Sequence, residues 1–259
     1  MEGIDVLRRL AAGNYHHADG LRALHIGAVA GPMFRMILAD MRALVGGWLP
    51  SIVREGAHST GWTRPVGEVK QWSLFNTHGF TDQTRDDFRY DNLADKRPIP
   101  LAGVSALTGS LPDLVNMRLN LIGPGSRLSP HEESLERQVG DGLVSLRARF
   151  HMPLVTTPKS LMLADGDLFH FQAGHVYLFN NGCVHSASND DDCDRLHLVW
   201  DQLMTERAVD AMFGSTPPKW LEQSLEPVPV VRTVQVDTWE RQSELSEEEF
   251  YSRKLVFHP

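Results

Sequence analysis

Along the first part of the chain, apolar residues return at helical spacing. Residues 4–12 carry them every three or four positions. Residues 32–45 do so more strongly, with Pro32 suited to a first helical turn and Gly46-Gly47 to the stop. Residues 68–76, EVKQWSLFN, read as a strand ending in a turn at Thr77-His78-Gly79, and the polar stretch 80–100 reads as a surface loop. From about residue 114 the period shortens to two. Segments 114–122, 142–154, 160–163, 167–172, 175–180 and 195–203 are short apolar or alternating runs. They are separated by Pro124-Gly125, Asp165-Gly166, Ala173-Gly174 and the acidic stretch 189–194. Short strands at this density predict an antiparallel sandwich or barrel. Near the C-terminal end, Ser246 and Glu249 have capping-box spacing for a short acidic helix. The pattern has no internal repeat. It predicts one α+β domain over 1–259, with a helical and β lead-in (1–100), a β core (101–203) and an extension (204–259).

Composition narrows the classes. With 259 residues, 42% hydrophobic and 22% charged, the chain is long and apolar enough to bury a core, which excludes disorder. No stretch approaches the roughly 18 apolar residues of a spanning helix. Glu2, Asp5, Arg8 and Arg9 interrupt the N-terminal apolar run, so no secretory signal is expected. A formal net charge of −8 argues against a protein that grips nucleic-acid backbone. The two cysteines, Cys183 and Cys193, make neither a disulfide scaffold nor a CxxC pair, and a cytoplasmic location is the expectation. The 12 histidines stand out.

Three features of the β half carry candidate chemistry. Pro130-His131-Glu132-Glu133 follows a Gly-Pro-Gly turn, His185 opens HSASN, and Arg195 opens RLHLVWD. Residues two apart in a strand share a face, so His131 and Glu133 can point at one spot, with Glu132 leaving on the other side. A distant His185 completes a 2-His-1-carboxylate face, a ligand set suited to Fe(II) with open positions for an oxo-acid and dioxygen. An arginine in the same barrel is the natural fork for the far carboxylate of 2-oxoglutarate. Spacing alone is weak, because an HxE pair followed by a later histidine recurs by chance. The run LRARFHMPL adds weight: Arg147, Arg149 and His151 alternate with Leu146, Ala148, Phe150 and Met152. The bland account is an edge strand with its charged face in water. This run, however, lies between two other predicted strands, and a cationic face turned into a barrel needs anions.

The order Pro124-Gly125…Pro130-His131, then Arg147-x-Arg149-x-His151, His185 and Arg195 resembles the aspartyl/asparaginyl β-hydroxylases. These are Fe(II)- and 2-oxoglutarate-dependent dioxygenases, and the resemblance covers roughly residues 100–203. It implies a mainly β (α+β) fold, a double-stranded β-helix (jelly roll, cupin-like) of about eight strands with N-terminal flanking helices. It implies His131 and His185 as iron ligands and Arg195 as the 2-oxoglutarate arginine. Arg149 and His151 match binders of a co-substrate or substrate carboxylate, Arg147 a substrate contact, and Asn120 a position near 2-oxoglutarate. Two departures matter. Animal members have glycine where this chain has Glu133, whereas the related free-proline hydroxylases have a carboxylate there, so a restored triad is expected. The link from His131 to Arg149 is also longer than usual, which makes residues 132–146 a candidate lid or pocket wall.

The implied reaction is hydroxylation of a C–H bond with O2 and 2-oxoglutarate, giving succinate and CO2. The arginines point to a small substrate with its own carboxylate, such as a free amino acid, a peptidyl or carrier-bound residue, or another small acid; no nucleic-acid or membrane partner is implied. Desaturation, cyclisation or epimerisation on the same centre stays open, as does a non-catalytic jelly-roll module that binds a small anion or sugar. A halogenase is disfavoured, because chloride needs the position of Glu133. His197 shares a face with Arg195 and is a candidate site-lining residue, with a hydrogen-bonded core histidine as the equal alternative. His170 and His175 read as surface residues, Trp200 and Phe179 as core, Cys183 as a small buried side chain. Asp190-Asp191-Asp192 reads as a solvated turn, and His16-His17 and His78 have no partner pattern.

Overall fold

Strand alternation sets the architecture. A computed structural model of the chain describes residues 3–13, 21–45, 65–76, 101–128, 130–131, 133, 135–139 and 143–234. The expectations for Gly46-Gly47, His16-His17, the turn at 77–79, the loop at 80–100, Glu132 and the capping box at Ser246 lie outside these residues. The elements run α1 (Gly3–Ala11), β1 (Ala23–Val29), α2 (Gly31–Ala43), β2 (Pro65–Val66), β3 (Val69–Asn76), α3 (Ala102–Ser110), β4 (Leu114–Ile122), β5 (Ser126–Leu128) and β6 (Glu136–Val139). They continue with β7 (Leu143–Val155), β8 (Ser160–Ala164), β9 (Asp167–His170), β10 (His175–Phe179), β11 (His185–Asn189), β12 (Arg195–Leu203), α4 (Glu206–Phe213), β13 (Leu221–Pro227) and β14 (Arg232–Thr233).

The strands make two antiparallel sheets. The first has the order β13-β1-β10-β7-β12-β4-β3, with β6 paired to β7, and the second β14-β9-β8-β11-β5-β2. From β4 to β12 the chain passes back and forth between the sheets, leaving β4, β12, β7 and β10 side by side in one and β5, β11, β8 and β9 in the other. That order is a double-stranded β-helix.

Both faces of the central strands of the first sheet are buried, and differently. Phe150, Met152 and Leu154 of β7, with Leu196, Leu198 and Trp200 of β12, pack outward against Leu7, Ile37, Met41, Leu107 and Met212 of the helices. Phe150 and Trp200 stack at 5.4 Å. The alternate positions of the same strands face the second sheet, whose inner side contributes Met162, Ala164, Phe169 and Ala187. The cationic face of β7 is therefore interior, since β7 lies between β10 and β12 rather than at an edge.

Several elements have no clear sequence signal. In β1, Ala23 faces the barrel while Leu24 and Ile26 face the helices, so both faces are apolar, and a bulge between His25 and Gly27 breaks the period. Helix α3 is built of small residues because it lies close on α2; a Cβ at Gly103 would stand 2.7 Å from the Ile37 backbone nitrogen. The predicted turn at Asp165-Gly166 joins β8 to β9 as a two-residue hairpin, both residues at positive φ. Part of the expected lid is also regular: β6 pairs with the start of β7. Among the described residues no helix is long and apolar enough to cross a membrane.

Candidate metal centre

His131, Glu133 and His185 converge, each offering a ligand atom within 4.8 Å of the others. The reason differs from simple strand alternation. His131 sits outside the regular strands and makes an isolated bridge to His185, with backbone N–H groups donating both ways at 2.9 and 2.8 Å. Glu133 also stands outside the strands, its N–H donating to the Asn181 carbonyl at 3.0 Å. Glu133 Oε1 lies 3.6 Å from His131 Nε2 and 3.8 Å from His185 Nε2. Donors that share an ion at about 2.1 Å stand about 3.0–3.4 Å apart, so a small contraction would close this set on a divalent ion. His185 Nδ1 lies 2.9 Å from the Cys183 carbonyl, which only accepts, so Nδ1 carries the proton and Nε2 presents its lone pair to the centre. Burial, the neighbouring His131 ring and the opposing pull of Glu133 leave His185 titrating at about 4. It is thus neutral, as a ligand must be.

The cationic strand is neutralised from within the chain. Arg149 donates through Nη1 and Nη2 to the two oxygens of Glu133, and through Nε and Nη2 to Asp201 at 2.7 and 3.0 Å. Arg147 bridges the same two carboxylates at 2.8 Å each. Asp201 is fully buried and also accepts from Asn116 at 3.1 Å and Arg118 at 3.4 Å. Burial would raise the carboxyls of Glu133 and Asp201, yet the Arg149 charge, backed by Arg147, holds both well below the usual range. Arg149 and Arg147, expected to meet carboxylates from co-substrate or substrate, meet Glu133 and Asp201 of the chain itself in this structure.

Arg195 is the contrasting case. It is 2% exposed and, among the described residues, has no carboxylate partner; its Nη2 reaches Met162 Sδ at 2.8 Å and His197 Nδ1 at 3.0 Å. Burial pulls its guanidinium down to about 9. Because His197 Nδ1 accepts from Arg195, its Nε2 carries the proton, and that buried donor has no partner among the described residues. Among the described residues, neither do Arg195 Nε, both ring nitrogens of buried His151, or Asn120 Oδ1. His151 and His197 are both held well below the ordinary histidine value, by burial first and then by Arg195. Asn120 and His197 face each other across β4 and β12. Buried polar groups left orphaned in this way mark space for a polar ligand.

The structure thus brings His131, Glu133 and His185 to one point and gathers Arg195, His197, His151 and Asn120 on the neighbouring inner face. Asp201, Arg118 and Asn181, whose Nδ2 lies 3.3 Å from Glu133 Oε2, went unread in the sequence. Asp201 had a signal, since it continues the face of Arg195 and His197 at the end of RLHLVWD. Asn181 had none. A shallow cleft is lined by Arg147 and Asn181, both hydrogen-bonded to Glu133, together with Leu10, Leu21 and Leu135. A larger cleft, about 130 Å3, lies elsewhere, along Leu161, Leu163 and Leu168 of the second sheet, and no member of the triad lines it. The acidic run at 190–192 is a turn; Asp191 and Asp192 come together with Cys193, the latter two exposed.

Residues 94–204 match the family model described as aspartyl/asparaginyl beta-hydroxylase, a span that includes the triad and Arg195. No curated protein matches the chain by sequence. Among solved structures, a prolyl-4-hydroxylase of Pseudomonas putida is similar at 19% identity over 78% of this chain and 98% of that one, with a TM-score of 0.41. The non-heme alpha-ketoglutarate-dependent epimerase SnoN from nogalamycin biosynthesis is similar at 15% identity over 88% and 99%, with a TM-score of 0.43. HygX from Streptomyces hygroscopicus, solved with nickel and 2-oxoglutarate, is similar at 14% identity over 81% and 94%, with a TM-score of 0.42.

Proposed function

We propose that the protein is an Fe(II)- and 2-oxoglutarate-dependent dioxygenase that hydroxylates a C–H bond of a small-molecule or amino-acid-derived substrate. The observation that carries this is the coincidence, inside one barrel, of a 2-His-1-carboxylate face and a buried guanidinium with no carboxylate partner among the described residues. The first suits Fe(II) with open coordination positions, and the second suits the distal carboxylate of a dicarboxylic keto acid. When bound, iron and 2-oxoglutarate supply the oxidation, taking O2 and the keto acid to succinate, CO2 and one oxygen atom inserted into the C–H bond.

The chain's own residues do the rest. His131, Glu133 and His185 hold the metal, the last with its ring orientation fixed by the Cys183 carbonyl. Arg195 grips the co-substrate's far carboxylate, and the idle Nε2–H of His197 and the one N–H of neutral His151 complete its hydrogen bonds. Phe171, Phe179 and Tyr177 wall this interior and exclude water, which strengthens each of these contacts. Arg147 and Arg149 hold Glu133 in place rather than taking a substrate anion.

The test is anaerobic addition of Fe(II) and then 2-oxoglutarate, watching for the visible charge-transfer band of the chelated keto acid. The band should appear in the wild type, vanish in His185→Ala and weaken in Arg195→Ala. Persistence in Glu133→Ala alone would show that two histidines suffice. A folded wild type with no band at saturating iron and 2-oxoglutarate would sink the dioxygenase reading and favour an anion-binding jelly roll.

A further inference from the structure

Glu133 lies outside the flanking strands, so its backbone alone fixes its carboxylate loosely. What fixes it is a pair of arginines: Arg149 forks onto both of its oxygens, and Arg147 donates to Oε2 at 2.8 Å. Arg149 is a long side chain whose guanidinium plane needs its own anchor. That anchor is Asp201, directly opposite Arg149 in the β7–β12 register, taking Nε at 2.7 Å and Nη2 at 3.0 Å. None of the hydrogen bonds of Asp201 goes to a candidate ligand; its partners are Asn116, Arg118, Arg147 and Arg149. A carboxylate, a two-edged guanidinium and a second carboxylate thus run from a central strand to the metal centre, and every joint but the last is on a rigid sheet.

We propose that Asp201 is a positioning residue for the metal centre, setting the orientation of Glu133 through Arg149. This rests on the metal reading above. A carboxylate in water samples many directions, whereas Glu133 Oε1 is already held within 3.6 and 3.8 Å of both histidine nitrogens. Partners that orient a ligand without touching the ion are typically worth 10–100-fold in metal affinity. The sequence spacing of Asp201 from the histidines gives no hint of this role, since it arises only from the β7–β12 register.

The experiment is a Co(II) titration of the full-length protein, followed by its visible ligand-field bands, for the wild type, Asp201→Asn, Glu133→Ala and the double variant, each checked for folding by circular dichroism. Asp201→Asn should weaken Co(II) binding about 10–100-fold and move the bands toward those of Glu133→Ala. In the Glu133→Ala background the same substitution should change affinity less than about threefold, because there is no carboxylate left to orient. Wild-type affinity in Asp201→Asn, or an equal loss in both backgrounds, would overturn the proposal; the latter is what a merely structural role gives. Should Asp201→Asn fail to fold, Asp201→Glu is read in its place, with the same expectations, because glutamate keeps the charge while its longer arm displaces the guanidinium that it anchors. Co(II) affinity that ignores His131→Ala and His185→Ala would instead sink the metal reading itself, and the two failures are thereby distinct.

Discussion

Arg195 makes an unusual demand on the ligand-free protein, and replacing it by methionine has a calculable consequence. Burial carries the guanidinium from 12.5 down to about 9, which amounts to about 5 kcal/mol held against its charged form. In Arg195→Met that penalty disappears, while the hydrogen bond to His197 Nδ1 is lost, returning about 1–3 kcal/mol. The net is a stabilisation of about 2–4 kcal/mol, within the range seen when buried ionic groups give way to apolar ones. For a chain of this size that is a rise in Tm of about 5–10 °C. The sign can be checked by pH. A base whose folded value lies below its unfolded one carries its full penalty at neutral pH, and the penalty lifts as pH climbs from about 9 toward 12.5. The gap between variant and wild type should therefore be constant from pH 7 to 8.5 and shrink by about 1.4 kcal/mol for each pH step above 9. The assay is urea denaturation of both proteins across that range, repeated anaerobically with Fe(II) and 2-oxoglutarate. Co-substrate at a hundred times its Kd should stabilise the wild type by about 2.7 kcal/mol and the variant hardly at all. A variant that is less stable than the wild type without ligand, yet still stabilised by 2-oxoglutarate, would refute the reasoning.

Two further outcomes separate the scaffold from the site. Trp200→Ala empties a fully buried position stacked on Phe150, on the helix side of the first sheet; it should cost about 3–5 kcal/mol in thermal or urea unfolding. Gly166→Ala forces a side chain onto a residue at φ +90° and within 2.8 Å of the Val234 carbonyl; a loss of at least about 1 kcal/mol is expected, with Co(II) affinity unchanged.

Much of this protein was legible in the chain itself. The alternation in 114–122, 146–154 and 195–203 identified the strands that build the first sheet, because one face of each is apolar against helices and the period of two survives. The same alternation placed Arg147, Arg149 and His151 on one side, and Arg195 with His197 on one side. Elements apolar on both faces, such as β1, or built of small residues, such as α3, left no period to read. The sequence also named all three candidate ligands, but for a partly different reason. His131 and Glu133 meet because a bridge to His185 and a pair of arginines draw them together. Which charges those arginines satisfy was decided by register alone. Asp201 stands opposite Arg149 only once β12 pairs with β7, and that pairing turns a cationic strand into a neutral scaffold around Glu133. Local pattern fixes which face a side chain takes, since that follows from backbone geometry. The partner it meets there comes from residues distant in the chain, and only the folded sheet brings Arg149 to Asp201 and, among the described residues, leaves Arg195 without a carboxylate.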